Sequence, residues 1–298
     1  MRLKSPAAQL PRRILPMLVT SSAPFDDSRC LFEIKWDGVR VMASIAKGTW
    51  HVWGRECVDY TERYPELEVL RKLPAGTILD GELVAVRDGR PDFYSLMSRH
   101  SRRPRRTPFF TEAVQYVVFD VLYFRGRSLM GRPLEERRQL LHHRLPKIPF
   151  VSLCDGVVGA GRSFFQSAIA AGHEGIVAKK LSSPYVPNQR SAAWRKIKQK
   201  MELPCVVIGY RTRGSELCDL LMATLVERKL AFVGAVELGI RDAAGLVKRL
   251  NSLRTAAAAV PCSLPARWVR PELFCKVHFC GWRPGGVWRD PVFVGWDQ

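Results

Sequence analysis

The alternation of hydrophobic and polar positions over the first 200 residues predicts many strands and a few helices. Short runs rich in β-branched and aromatic residues predict strands, whereas apolar residues spaced three and four apart predict helices. The predicted strands cover residues 31–35, 39–45, 49–53, 77–86, 113–124, 174–180 and 193–198. The predicted helices cover residues 64–73, 133–145 and 163–171. Residues 1–30 show no clear periodicity, so we expect an extended arm that leads to the first strand.

The pattern changes after Lys200, where short predicted strands dominate. These strands cover residues 204–210, 220–226, 231–236, 274–279 and 287–293, with one predicted helix over 243–253. Many short strands with a single helix are typical of a small β-barrel of the OB type. We therefore expect a domain boundary near residue 200, with one domain over residues 1–200 and a second over residues 201–298.

Composition indicates a cytoplasmic protein with real hydrophobic cores. The chain has 298 residues, of which 47% are hydrophobic, yet no apolar stretch approaches the ~18 residues of a membrane span. Residues 1–13 are basic but lack the apolar segment of a secretory signal. None of the eight cysteines forms a Cys-x-x-Cys pair, which favours free thiols, several of them buried, over a zinc site.

The net charge points to a polyanionic partner. The chain carries 47 Lys and Arg against 28 Asp and Glu, a formal charge of +19. Basic residues in such excess neutralise phosphates and release counterions, which favours nucleic acid. The alternative is solubility alone, but acidic residues would serve that purpose as well.

The first chemical candidate is a lysine placed between two acids. Lys35 lies between Glu33 and Asp37 at the end of a predicted strand, and Gly38 follows. A positioned, partly desolvated lysine can lose its proton and attack a phosphoryl or carbonyl group. Glycine lets the backbone come close to a ligand. The alternative is a surface ion pair between Lys35 and Asp37. Motifs elsewhere in the chain are needed to distinguish a reactive lysine from such a pair.

Carboxylates that suit a metal occur on two further predicted strands. Asp80 and Glu82 are expected on one side of strand 77–86, and Glu174 begins strand 174–180. A few carboxylates with open geometry suit Mg²⁺, which keeps several waters and takes its other ligands from phosphates. The alternative for Glu82 and Glu174 is that they are solvated surface acids.

Two lysines and one phenylalanine complete the candidate set. Lys196 and Lys198 alternate along a predicted strand, so both cations point to one face. Phe119 lies in a nearly all-apolar strand and is able to stack on a base. The alternatives are an exposed basic face for the lysines and plain core for Phe119.

The order of these motifs resembles the nucleotidyltransferase motif series of ATP-dependent DNA ligases and mRNA capping enzymes. The series reads Lys-x-Asp-Gly, Asp-Gly-Glu, an apolar strand with Phe, Glu-Gly-Ile-Val-Ala-Lys and Lys-x-Lys. The resemblance runs from about residue 14 to 296 and is closest to the ligase domain of bacterial end-joining DNA ligases. The segments that favour this branch are Phe25-Asp26-Asp27, Asp59-Tyr60-Thr61-Glu62-Arg63-Tyr64-Pro65-Glu66, Asp92-Phe93 and Trp268-Val269-Arg270-Pro271-Glu272-Leu273.

The resemblance implies a fold and a reaction. The fold would be α+β, with an antiparallel-sheet adenylation domain followed by a small OB-fold barrel. In the reaction Lys35 attacks the α-phosphate of ATP, giving lysyl–AMP and pyrophosphate. AMP then passes to a 5′-phosphate in DNA, and the 3′-hydroxyl displaces it. Two alternatives stay open: an RNA ligase or capping-type guanylyltransferase with the same lysine chemistry, and an inactive module that binds DNA ends.

The resemblance also implies the site residues and cofactors. Glu33 and Phe119 would hold adenine, Arg40 and Arg55 would contact ribose or DNA phosphate, and Lys196 and Lys198 would bind the α-phosphate. The full set of implied ATP- or AMP-binding residues is Glu33, Ile34, Arg40, Arg55, Glu82, Phe119, Arg190, Lys196 and Lys198. Glu82 and Glu174 would hold Mg²⁺ or Mn²⁺, and Arg289 would orient pyrophosphate.

Expected partners follow from the charge and the resemblance. The substrate would be duplex DNA with nicks or ends, bound by a monomer. A Ku-type end-binding protein is a further expected partner. Five arginines within eight residues are predicted to contact the DNA backbone: Arg99, Arg102, Arg103, Arg105 and Arg106. The alternative for this run is a solubilising loop.

Overall fold

A computed structural model describes residues 10–11, 13–87, 90–101, 114–214, 216–238, 243–283 and 285–297. The chain divides between Lys198 and Gln199 into two compact units. Each unit is described below by itself.

The first unit is built on two sheets. The five-stranded sheet has the strand order β1 (Leu18–Ser21), β12 (Arg190–Lys198), β11 (Gly175–Lys180), β2 (Asp27–Ile34) and β10 (Gly156–Gly159). The seven-stranded sheet has the order β4 (Thr49–Trp53), β3 (Val39–Ala46), β5 (Thr77–Arg87), β7 (Val114–Phe124) and β8 (Arg127–Ser128), with β6 (Arg90–Pro91) beside β5 and β9 (Val151–Leu153) beside β7. These strands pair antiparallel, apart from β1 with β12 and β7 with β9.

The helices of the first unit include one whose type differs from the prediction. The α-helices are α1 (Phe93–Ser101), α2 (Leu134–Arg144) and α3 (Gly161–Ala170). The predicted helix over residues 64–73 is a 3₁₀ helix, Pro65–Lys72, preceded by the short 3₁₀ turn Thr61–Arg63. Its buried side chains recur every third residue, which matches the three residues per turn of a 3₁₀ helix. They are Tyr64, Leu67, Leu70 and Leu73.

The predicted extended arm over residues 1–30 contains two strand segments that the sequence did not reveal. Leu18–Ser21 forms β1, which pairs with β12, and β2 begins at Asp27. The sequence signal was weak because β1 is only four residues long and mostly half-buried. Each predicted strand of the first unit overlaps a strand in the structure.

A fully buried ion pair fastens α2 to the seven-stranded sheet. Arg137 donates to both carboxylate oxygens of Asp120 on β7, at 2.8 Å each. Its other donor reaches the carbonyls of Arg132, at 2.5 Å, and Ser183, at 3.0 Å. The two side chains have no solvent exposure, so this network links α2, β7 and the β11–β12 connection inside the core.

The second unit is a β-structure with one described α-helix. Its elements are β13 (Met201–Arg213), β14 (Glu216–Val226), β15 (Lys229–Glu237), α4 (Ala243–Ser252), β16 (Arg267–Trp268), β17 (Phe274–Phe279), β18 (Gly281–Trp282), β19 (Trp288–Arg289) and β20 (Val292–Trp296). The main sheet has the order β15-β14-β13-β17-β20, with β16 on β13, while β18 and β19 form a separate ribbon.

Two details of the second unit were not predicted from the sequence: a break in one strand and the packing of Trp288 against a glycine. The predicted strand over residues 287–293 is split into β19 and β20, because the backbone at Asp290 takes a left-handed φ of 51°. Gly234 in β15 has φ of 134°, and a Cβ there would collide with the indole of Trp288. Trp288 uses that space to donate a 3.1 Å hydrogen bond to the Ala235 carbonyl.

The remaining expectations concern cysteines and membranes. The eight cysteines are free, and four of them are buried: Cys30, Cys154, Cys205 and Cys275. Within the described ranges no group of His, Cys, Asp and Glu has the arrangement of a metal cluster. No helix in the described part of the chain is both long and apolar enough to cross a bilayer.

Candidate active site

A cleft opens between the two sheets of the first unit, where the chain passes from β2 to β3. It encloses about 590 Å³ of empty space, open solvent included. Gly38 lets this passage lie close to β5, because a Cβ at that position would collide with the Leu83 carbonyl. The cleft is lined by Val19, Glu33, Ile34, Lys35, Trp36, Arg40, Arg55, Glu82, Phe119, Val177, Lys179, Trp194 and Lys196.

Lys35 lies at the end of β2 and shares a carboxylate with Lys198. Its amide donates to the Gly175 carbonyl at 2.9 Å, which fixes the backbone beside β11. Its ammonium pairs with Oε2 of Glu174, and the Lys198 ammonium lies 2.5 Å from Oε1 of the same group. Strands β2 and β12 flank β11, so Glu174, just before β11, lies between the two lysines. The Lys35 side chain remains about a quarter exposed, at 24%.

The charges around Glu174 perturb its titration and that of Lys196. Burial opposes ionisation of Glu174, but the ammonium groups of Lys35 and Lys198 outweigh that effect and lower its pKa. Burial lowers the pKa of Lys196, and repulsion from Lys198 and Lys35 lowers it further. Three lysines therefore converge on one end of the cleft, as an anion-binding group requires.

Glu82 is the carboxylate on the other wall of the cleft. It lies on β5 directly opposite Arg40 of β3. Burial raises the pKa of Glu82 to about 7, although Lys35, Arg40 and Arg55 act in the opposite direction. No hydrogen bond or ion pair reaches its side chain from the described residues. Its charge is therefore poorly compensated in the free protein.

We expect Glu82→Gln to stabilise the protein at pH 8 but not at pH 5. The folded-state pKa of about 7 exceeds the ordinary glutamate pKa of 4.5, so between these values the folded protein holds a proton that the unfolded chain has released. Stability is then lost as pH rises through this window, and glutamine removes the loss. Urea unfolding at both pH values should give a gain on the order of 2 kcal/mol at pH 8. The exposed Glu56→Gln is the control; an equal gain at both pH values would contradict the assignment.

The opposite end of the cleft is aromatic and carries a buried ion pair. The Lys179 ammonium lies 2.5 Å from Oε2 of Glu33 and over the rings of Phe119 and Trp194, 4.0 and 4.3 Å from their centroids. Arg138 of α2 approaches the other Glu33 oxygen at 3.3 Å. The cleft thus has one end suited to phosphates and another suited to a planar base.

Comparison with known proteins identifies the family. A family profile described as the ATP dependent DNA ligase domain matches residues 16–198, and one described as the ATP dependent DNA ligase C terminal region matches residues 213–298. The chain belongs to the ATP-dependent DNA ligase family. The predicted resemblance is confirmed, as is the α+β fold of an adenylation domain followed by an OB-fold region.

Relatives place this chain near the bacterial end-joining branch of the family. It is 31% identical over 298 residues to the multifunctional non-homologous end joining DNA repair protein LigD of Mycobacterium tuberculosis (strain ATCC 25618 / H37Rv), covering 95% of this chain and 38% of that protein. It is 35% identical over 199 residues to the SPbeta prophage-derived DNA ligase-like protein LigB of Bacillus subtilis (strain 168), covering 66% of this chain and 72% of that protein. The chain thus spans about 38% of the length of the mycobacterial proteins it matches.

A solved structure agrees with this assignment. The structure of mycobacterial DNA ligase D complexed with ATP and MES is 30% identical in sequence, with a TM-score of 0.58, and each chain covers 95% of the other.

Most of the predicted site residues line the cleft. They are Glu33, Ile34, Lys35, Arg40, Arg55, Glu82, Phe119 and Lys196. Glu174 and Lys198 join them through the ion pair with Lys35. Arg190 is exposed at the start of β12 and donates to the Val19 carbonyl at 2.6 Å. Arg289 lies on β19 of the second unit.

Two of the predicted arginines form ion pairs that the sequence did not reveal. Arg40 is nearly buried and donates to both oxygens of Asp80, at 3.0 and 2.6 Å, and to the Met17 carbonyl at 2.7 Å. Arg99 donates to both oxygens of Glu66, at 2.6 and 2.7 Å. At 5% side-chain exposure, Arg99 does not fit the predicted contact with DNA, which is therefore corrected. The other four residues of that run, Arg102, Arg103, Arg105 and Arg106, lie outside the described residues.

Five residues that line the cleft were missing from the predicted set. They are Val19, Trp36, Val177, Lys179 and Trp194. Alternation along β11 carried a signal for two of them, since Val177 and Lys179 are two residues apart on one face. The tandem lysines at 179 and 180 concealed it, because the sequence does not reveal which one points inward.

Proposed function

We propose that this protein is an ATP-dependent DNA ligase that joins 5′-phosphate and 3′-hydroxyl termini in DNA repair by end joining. The observation that carries the proposal is the cation group at the cleft, where Lys35 and Lys198 share Glu174 and Lys196 stands beside them. Phosphoryl transfer requires that the reacting groups are positioned and that the charge on the phosphate is neutralised. This cation group supplies a nucleophile, holds it in position and neutralises phosphate charge.

In the first step the uncharged amine of Lys35 attacks the α-phosphate of ATP. A phosphorus–nitrogen bond forms, the bond to the leaving pyrophosphate breaks, and the amine releases a proton. Lys196 and Lys198 neutralise the charge that develops on the α-phosphate. Glu174, already in contact with both lysines at the start, holds the nucleophile in place.

The base and the ribose occupy the rest of the cleft in this proposal. Phe119 and Val177 contact the faces of adenine, and Glu33 accepts a hydrogen bond from it. Arg40, Arg55 and Arg190 serve the ribose or the phosphate of bound DNA, and Arg289 orients pyrophosphate. Arg40 must then loosen its contact with Asp80 or act through an edge of its guanidinium.

A divalent cation, Mg²⁺ or Mn²⁺, belongs to the proposed reaction as a counter-charge for the phosphates. The described residues fit such a cation in the cleft, because Glu82 is a poorly compensated carboxylate and the charge of Lys35 acts on both Glu82 and Glu174. Two carboxylates are few for an all-protein site but suit Mg²⁺, which keeps waters and takes phosphate oxygens. Glu82 and Glu174 would hold it.

DNA binding rests on the basic surplus of the chain. A charge of +19 favours association with duplex DNA through phosphate contacts. We propose nicked or broken duplexes as the substrate, with Arg102, Arg103, Arg105 and Arg106 as backbone contacts. We also propose that the protein acts as a monomer with a Ku-type end-binding partner, in the cytoplasm and associated with the nucleoid. The boundary between the adenylation domain and the OB domain falls near residue 200 in this proposal.

The substrate is tested with nicked duplexes of matched sequence. We expect sealing of a DNA nick that carries a 5′-phosphate, dependent on ATP and a divalent metal, and no sealing when the phosphate is absent. Equal or better sealing of an all-RNA nick would move the protein to the RNA ligases. Labelling by GTP in preference to ATP would move it to the guanylyltransferases, and the absence of any nucleotide adduct would leave a DNA-end-binding module.

A further inference from the structure

Lys179 is held by three strands in a position that no other lysine of the cleft shares. It lies directly opposite Trp194 on β12 and opposite Leu31 on β2, two residues along from Glu33. Diagonal neighbours at this spacing can touch when one side chain is long. The register therefore delivers the Lys179 ammonium to Glu33 between two aromatic rings, where only 3% of the side chain is exposed.

The two oxygens of Glu33 differ in their surroundings. Oε2 is 2.5 Å from the Lys179 ammonium. Oε1 lies 3.3 Å from Arg138 but accepts no hydrogen bond from any described residue, and it is fully buried. A buried carboxylate oxygen without a hydrogen bond is costly unless a ligand supplies one. Glu33 lines the cleft, so a bound base is the group placed to supply it.

We propose that Lys179 is a positioning residue for nucleotide selection: it holds Oε2 of Glu33 in place, so that Oε1 is oriented to accept an N–H from the base. The proposal rests on the proposed function, since it concerns the nucleotide that Lys35 attacks. An ionised carboxylate accepts hydrogen bonds and donates none. The base must therefore present a donor, as the 6-amino group of adenine does.

The other groups that face Glu33 do not replace Lys179. Arg138 of α2 is committed to the Cys154 carbonyl and approaches Oε1 without a hydrogen bond. The Cys154 thiol follows β9, and burial together with the charge of Glu33 raises its pKa to about 12, so it stays neutral. Without Lys179, Oε2 of Glu33 loses the contact that orients the carboxylate, and Oε1 is no longer held in place for the amino group of the base.

The test compares ATP with purine riboside triphosphate, which has the same ribose and phosphates but no 6-amino group. The readout is the kcat/KM for lysyl–nucleotide formation at pH 7.5, measured on the intact chain. We expect the wild type to favour ATP by about tenfold or more, the value of one hydrogen bond to a charged group. Lys179→Met should bring the ratio close to one, whereas the neighbouring exposed Lys180→Met should retain the wild-type ratio.

A double-substitution cycle separates positioning from general damage. If Lys179 acts through Glu33, adding Lys179→Met to Glu33→Gln should leave the ratio of the single Glu33→Gln variant unchanged. Lys179→Gln is a second neutral variant, in case Lys179→Met does not fold. The nucleotide ratio is measured on the variant that unfolds cooperatively. An unchanged ATP preference in that variant, or additive effects in the cycle, would overturn the proposal. Absence of any wild-type adduct with ATP would instead overturn the proposed function.

Discussion

Replacing Lys35 with arginine is expected to abolish the lysyl–AMP adduct while leaving the protein folded. Arginine retains the positive charge, so its pairing with Glu174 can persist, but a guanidinium stays protonated and cannot act as a nucleophile. Loss of the attacking group should lower the rate of adduct formation by more than about a thousandfold. Mass spectrometry of the intact protein after incubation with ATP and Mg²⁺ measures the gain of one AMP.

The control for this substitution is Lys47→Arg in the exposed turn between β3 and β4. It makes the same chemical change outside the cleft and should retain wild-type adduct formation. Lys35→Ala should fail to form the adduct as well. An AMP adduct of normal yield on the Lys35→Arg protein would show that another residue is the nucleophile, and peptide mapping would identify it.

Asp120→Ala is expected to have the largest effect on stability. It leaves the Arg137 guanidinium without its carboxylate in a place that has no solvent exposure. Breaking a buried pair by removing one partner costs about 3–5 kcal/mol, since an uncompensated charge stays inside the core. Urea unfolding followed by tryptophan fluorescence should show this loss, with the first unit melting earlier.

An exposed ion pair at the start of the same helix provides the matched control. Arg132 and Glu136 lie 3.5 Å apart with 67% and 48% of their side chains exposed. Solvent screening makes such pairs worth about 0–1 kcal/mol, so Glu136→Ala should change stability little. Similar losses from Asp120→Ala and Glu136→Ala would mean that burial does not decide the contribution of the Arg137 pair.

The sequence allowed the prediction of the reactive end of the cleft because motif residues carry their own chemistry. Lys35, Glu82 and Lys196 were predicted from residue type and spacing, and all three line one cleft. Long-range pairing was not accessible in the same way. Arg40 and Asp80 are 40 residues apart, and Arg99 and Glu66 are 33 apart, so only the fold reveals that these charges neutralise one another.

Local geometry was also harder to predict than element existence. The strands were recognised from their apolar composition, but the helix over residues 64–73 proved to be 3₁₀, because its buried residues recur at three and not at an average of 3.6. Lys179 and Lys180 are chemically identical in the sequence. Pairing of β11 with its two neighbours determines that the first is buried and the second exposed.

The shared carboxylate of Glu174 has a consequence for inhibitor discovery. Lys35 and Lys198 are already paired with Glu174. A negatively charged compound must therefore compete with the Glu174 carboxylate for both lysines. The apolar side chain of Val177 lines the same cleft and offers contact area that involves no competition with Glu174. Compounds that fill the aromatic end and reach Oε1 of Glu33 with an N–H should therefore gain more affinity per atom than phosphate mimics.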